Sequence, residues 1–141
     1  MRRLAVYFML FIFTISQPNL AISTMNKIHV IIGKKIFVAT LVENTTATTF
    51  KSMLPLTISM KELNNNEKYG SLPKNLPINA SVPASIQTGD LMLFGSNTIV
   101  VFYKPFSTSY SYTKVGKIDD TMELQAALGT GDAMIEFKGI E

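Results

Sequence analysis

The chain has 141 residues, 47% of them apolar and 10% aromatic, which is one domain's worth of sequence with enough apolar material for a real core. It contains no cysteine, so disulfides, thiolate metal sites and thiol catalysis are excluded. The formal net charge of +3 overstates its basicity: without Arg2 and Arg3, 11 lysines face 10 acids, a net charge of +1. With no lysine run beyond Lys34-Lys35, a nucleic-acid partner is not expected.

Arg2-Arg3, the apolar run Leu4 to Ile15, polar Ser16 to Asn19 and the small-residue site Ala21-Ile22-Ser23 follow the order of a secretory signal peptide. The expected division is residues 1–23 as leader and 24–141 as the domain. The run of about a dozen apolar residues is short of the roughly 20 a spanning helix needs, so no stable membrane anchor is expected after cleavage. The expected destination is periplasmic or secreted. The alternative is a cytoplasmic protein started at Met25, since MNKIHVIIG also reads as a natural N-terminus.

Ile28 to Ile32 and Ile36 to Val42 are β-rich runs joined by Gly33-Lys34-Lys35, a first hairpin. His29, the only histidine, lies inside it. With no second histidine or cysteine it is read as a packed or surface residue, and no metal site is assigned. Asn44 or Thr45 is placed to cap a helix over Thr46 to Leu54, ended by Pro55, and Leu56 to Met60 alternates as a strand. Glu62 to Ser85, with Asn64-Asn65-Asn66 and several prolines, reads as a long loop that packs down through its apolar residues. Within it, Glu67-Lys68 has two readings, a carboxylate beside a site or a solvated pair.

Leu91 to Phe94 and Thr98 to Tyr103, separated by Gly95-Ser96-Asn97, predict a central hairpin. Ile99 to Phe102 is continuously apolar, as expected of a strand covered on both faces. Ser109 to Ile118 is read as a further strand with Tyr110 and Tyr112 on one face. Asp119-Asp120-Thr121 is read as the cap of a short helix ending at Leu128 before Gly129, and Ala133 to Phe137 as the last strand.

KELNNNEKYGSLPKNLP, GDLMLFGSNTIVVFYKPFSTSYSYTKVGKI and the closing ALGTG together resemble the small bacterial cyclophilin-like proteins, over about residues 27 to 138. The resemblance implies a mainly β fold, a closed cyclophilin-like barrel of about eight strands with two short capping helices. No cofactor is expected. Cyclophilins proper isomerise X-Pro bonds with an arginine in an F-H-R segment, and neither that segment nor their Q-G-G-D stretch is present. Arg2 and Arg3 are the only arginines, and lysine does not reproduce the planar guanidinium fork. No catalytic residue is carried over.

Lys104 to Tyr112 packs three aromatics and four hydroxyl residues into nine positions. Flat apolar rings with polar edges line peptide and small-molecule grooves. The same segment also fits an irregular edge lying over the barrel. The candidate ligand-binding residues are therefore Phe106, Thr108, Tyr110 and Tyr112, joined by Tyr69 and Glu67 from the preceding loop. The expected function is a non-catalytic binding module for a peptide or small molecule. The alternatives are a prolyl isomerase using backbone or tyrosine donors, and a domain that contacts a partner protein.

Overall fold

A computed structural model describes residues 26–140, together with positions 5, 7 and 9–14. The leader's basic start at Arg2-Arg3 and its cleavage region at Ala21 to Ser23 lie outside the described residues. No helix among the described residues is long and apolar enough to cross a membrane.

Eight antiparallel strands close into one barrel. They are β1 (Lys27–Ile32), β2 (Lys35–Leu41), β3 (Leu56–Leu63), β4 (Glu67–Ser71), β5 (Asp90–Phe94), β6 (Thr98–Phe102), β7 (Thr113–Ile118) and β8 (Ala133–Gly139), with α1 (Thr45–Ser52) and α2 (Leu124–Leu128) between them. Around the barrel the order is β1-β2-β7-β5-β6-β4-β3-β8. The mainly β, closed-barrel expectation with two short helices is met.

Strand alternation sends one row of side chains inward. Ile28, Val30, Ala39, Leu91, Leu93, Ile99, Val101, Val115, Ile135 and Phe137 form the filled interior. α1 plugs one end: Ala47 and Phe50 are fully buried, and the Phe50 ring meets Phe137 edge-on at 5.4 Å. Of the two expected caps it is Asn44 that starts the helix, one residue earlier than predicted, its side-chain oxygen accepting from the Ala47 N–H at 2.7 Å. It ends at Ser52, two residues before the predicted limit. α2 covers the opposite end with Leu124 and Leu128.

Three expectations are corrected. Glu62 to Ser85 is not one loop: β3 runs on to Leu63 and β4 occupies Glu67 to Ser71. Asn64 and Asn65 both adopt positive φ (53° and 59°), so the asparagine run is a tight hairpin turn, a conformation asparagine tolerates better than most residues. The strand expected from Ser109 begins only at Thr113. Asp119-Asp120 does not cap α2, whose N-terminal position is Glu123 without a side-chain cap. Instead Asp119 joins β1 and β2, accepting from Lys27 Nζ at 2.8 Å and Thr40 Oγ1 at 2.5 Å. These hydrogen bonds outweigh the effect of burial and hold its carboxyl below the ordinary range. Asp120 closes a local turn by accepting from the Met122 N–H at 3.0 Å.

Gly116 holds the β2–β7 seam. A Cβ there would lie 2.5 Å from the Thr40 carbonyl oxygen and 3.1 Å from Leu41 Cα, both of them backbone that cannot step aside. Gly116→Ala is therefore expected to lower unfolding stability by about 1–3 kcal/mol, the range of an overpacked interior. Gly131→Ala, where a Cβ meets nothing within 4 Å, should stay within about 0.5 kcal/mol. Urea unfolding of the two variants beside the parent checks the contrast.

Candidate functional site

The period of two in β4 decides where the candidate residues go. Glu67 stands opposite Phe102 and Tyr69 opposite Val100 on β6, and Val100 stands opposite Met92 on β5. Directly opposite residues share a face, and this face points away from the barrel interior. Lys68 and Gly70, opposite Val101 and Ile99, point inward.

The outward face is apolar and needs a cover, which two loop segments supply. Ile86 bridges to Phe106 and Ser81 to Tyr112 by paired backbone hydrogen bonds of 2.9–3.2 Å. Ile86, Met92, Val100, Phe102 and Tyr112 are thereby buried as a second small core, with Tyr69 and Phe106 packed at its edge. Phe102 lies at its centre, its ring 5.4 Å from Phe106 and 5.6 Å from Tyr112.

Residues 104 to 112 lie over the barrel as an irregular edge, partly buried and partly exposed. Tyr112 is buried in the cover, whereas Tyr110 is 64% exposed, so the two tyrosines do not share a strand face. They share a neighbour instead. The Phe94 ring, 45% exposed, is 6.2 Å from Tyr110 in an edge-to-face arrangement and 5.7 Å from Tyr112. Thr108 Oγ1 accepts from the Tyr110 N–H at 3.0 Å and steadies the turn that presents that ring. Phe94 was not among the expected site residues. Its position at the end of β5, with its face set by the alternation from Met92, is the signal that marks it.

Glu67 and Lys68 do not form a pair. Glu67 is 7% exposed under the outward cover, and its Oε2 has no hydrogen-bond partner. Burial, reinforced by the charge of Glu62, pushes its carboxyl up to about 6. Burial also raises the Tyr112 phenol, with the nearby Glu67 charge adding to the effect. Lys68 is fully buried on the inward side. Its Nζ donates to Glu62 Oε1 at 3.0 Å, to the Gly129 carbonyl at 2.9 Å and to the Gly131 carbonyl at 2.5 Å. The Tyr103 hydroxyl donates to the same Glu62 oxygen. Burial and this hydrogen bond push the Tyr103 phenol up to about 12. The bonds from Tyr103 and Lys68 hold Glu62 below the ordinary carboxylate range against the opposing effect of burial. Sequence reasoning missed this network, although Glu62 and Lys68 are equidistant from Asn65 and so face each other across the hairpin.

A groove of about 520 Å³ opens beside Tyr69, between β3 and the segment that follows β4. Tyr69 thus touches both the aromatic surface and the groove. Among the described residues no cluster of three or more histidine, aspartate or glutamate side chains is placed to hold a metal ion.

The sequence matches the Cyclophilin-like family over residues 30–138. No curated protein matches it. Among solved structures it is similar to that of a hypothetical protein from Archaeoglobus fulgidus, with a TM-score of 0.55 and 14% identity, covering 81% of this chain and 94% of that one. At that identity the likeness is one of fold. The chain belongs to the Cyclophilin-like family.

The buried Glu67 makes stability depend on pH with a defined sign. Its carboxyl is raised from 4.5 to about 6, so between those values the native state keeps a proton that the unfolded chain has released. The stabilising contribution is complete below pH 4.5 and is lost as pH rises through 6. Glu67→Gln keeps the neutral shape at every pH. Its stability relative to the parent should therefore rise by up to about 2 kcal/mol between pH 4 and pH 8. Glu62 and Asp119, whose carboxyls are lowered, act in the opposite direction below the ordinary carboxylate range, but they are common to both proteins and cancel in the difference. Chemical unfolding across that interval reads it, and a difference that does not change with pH contradicts the buried carboxylate.

Proposed function

We propose that this member of the Cyclophilin-like family is an exported, non-catalytic binding module, taking a peptide or small molecule on the outward aromatic surface of β4, β5 and β6. The observation that carries the reading is the exposed Phe94–Tyr110 pair. Two large rings held edge-to-face in solvent are supported from below by Tyr112 and Phe102, so their positions are fixed before any ligand arrives. A ligand placing an apolar group there removes ring surface from water, and the tyrosine hydroxyl remains free to orient it. Glu67, Tyr69, Phe106 and Thr108 shape and support this surface rather than carry out chemistry.

The non-catalytic part rests on the sequence. The arginines are confined to positions 2 and 3, so the domain carries no guanidinium to donate to a twisted prolyl amide. Export rests on the leader pattern of residues 1–23.

Tyr110→Ala is expected to weaken binding about tenfold or more, equivalent to about 1.4 kcal/mol, with thermal unfolding unchanged because the side chain supports no core residue. The screen is a thermal-shift panel of proline-containing and aromatic peptides and small metabolites, followed by calorimetry on any ligand found. A panel without ligands, or binding indifferent to Tyr110→Ala, rejects the reading. In a proline-peptide isomerisation assay the mature protein should leave the uncatalysed rate unchanged. N-terminal sequencing of the native protein should begin at Thr24, and a start at Met25 overturns the export part.

A further inference from the structure

One edge of β3 pairs with β8 from Leu56 to Met60, but its other edge pairs with β4 only from Lys61 to Leu63. Gly70 still lies against the Ser59 carbonyl, but over Leu56 to Ile58 that second edge has no strand partner among the described residues. The cause lies in where the chain goes after β4. The Leu72 N–H donates to the Asn97 carbonyl at 2.7 Å and the Leu76 N–H to the Ser96 carbonyl at 2.7 Å. The backbone is thus drawn toward the β5–β6 turn and away from β3. The groove of about 520 Å³ lies in the resulting opening, with Thr57, Ser59 and Lys61 on one wall and Tyr69, Ser71 and Pro73 on the other.

An unpaired strand edge offers backbone donors and acceptors in the spacing of a β-ladder, which an extended peptide can complete. Three residues of such a peptide span about 10 Å. The charge of the opening is one-sided. Lys61 is the charged residue on its walls and forms no ion pair among the described residues. Lys74 lines the adjoining groove of about 350 Å³ across Pro73, which has no carboxylate on its walls either. Glu136 stands opposite Thr57 on β8, on the side of β3 away from the opening.

We propose that this groove takes an extended, carboxylate-bearing peptide as an added strand on the free edge of β3, with Lys61 pairing with the carboxylate. The peptide's backbone supplies the ladder, and its outward side chains lie along Thr57 and Ser59. Tyr69 forms the boundary where such a peptide passes toward the aromatic surface. The inference rests on the binding-module reading and restricts it to peptides.

The test uses fluorescein-labelled heptapeptides of alternating threonine and valine carrying one aspartate, a counterpart with lysine in its place, and two forms N-methylated on alternate sets of amides. Binding to the full domain is read by fluorescence anisotropy. The aspartate peptide is expected to bind. One methylated form should lose affinity at least tenfold while the other keeps it, because only one set of amides faces the β3 edge. Lys61→Glu should reverse the preference in favour of the lysine peptide, and amide hydrogen exchange at Thr57 and Ile58 should slow on binding. Equal binding of both methylated forms, or indifference to Lys61→Glu, overturns strand addition. If binding is then lost on Tyr110→Ala, the aromatic-surface reading stands without it. If no peptide of the set binds while other ligands still bind in a Tyr110-dependent way, strand addition falls and the binding module remains.

Discussion

Lys68 is the residue on which the arrangement of this barrel depends. An ammonium group taken fully out of water is costly unless its charge and its three donors are all met, and here they are, by Glu62 and by the carbonyls of Gly129 and Gly131. Those carbonyls belong to the loop between α2 and β8, so one side chain on β4 also fastens the cover at that end of the barrel. Because neighbouring residues of a strand face opposite ways, holding Lys68 inside leaves Glu67 and Tyr69 no choice but the outside. The outward positions of Glu67 and Tyr69 follow from that phase.

The second constraint is the β5–β6 hairpin, which is apolar on both faces. Its inward residues, Leu91, Leu93, Ile99 and Val101, complete the barrel interior, while Met92, Val100 and Phe102 demand an outer cover. Chain from residues 81–86 and 106–112 provides it through two backbone bridges rather than a helix or strand. A cover built of loops and aromatic rings leaves a surface with rigid support and little regular structure of its own. Under the reading proposed here, the same burial that satisfies the hairpin presents Phe94 and Tyr110 to a ligand.

What was legible in the sequence was what local chemistry decides. Gly95-Ser96-Asn97 between two β-rich runs, Asn44 before a helix and Gly33 in a tight turn each specify a short stretch, and each was read correctly. The unbroken apolar run Ile99 to Phe102 also gave away its two-sided burial. Misreadings arose where a tertiary partner decides. Asn64-Asn65-Asn66 has the composition of a loop, and only the hairpin register shows it to be a turn of two positive-φ residues. Glu67-Lys68 looks like a solvated pair because a five-residue strand containing a glycine shows too little alternation to reveal that its charges part to opposite faces. Asp119 sits where a helix cap belongs, yet Lys27 and Thr40, distant in sequence, claim its carboxylate.

Gly70 shows how closely the closure of the barrel and its opening are linked. A Cβ there would lie 2.6 Å from Ile58 Cγ2 and 3.1 Å from the Ser59 carbonyl oxygen, so β4 presses against β3 at the last point before the two diverge. With any side chain at that position β3 and β4 would be wedged apart earlier, and the short ladder from Lys61 to Leu63 that carries Glu62 to Lys68 would be loosened with them. Two residues further on, the backbone is committed to Asn97 and then Ser96, and the β3 edge from Leu56 to Ile58 has no strand partner among the described residues. A sheet edge is ordinarily paired, twisted away or guarded by charge. On this one the charged neighbour is a single lysine, Lys61, and under the proposed strand addition its charge selects for anionic chains over cationic ones.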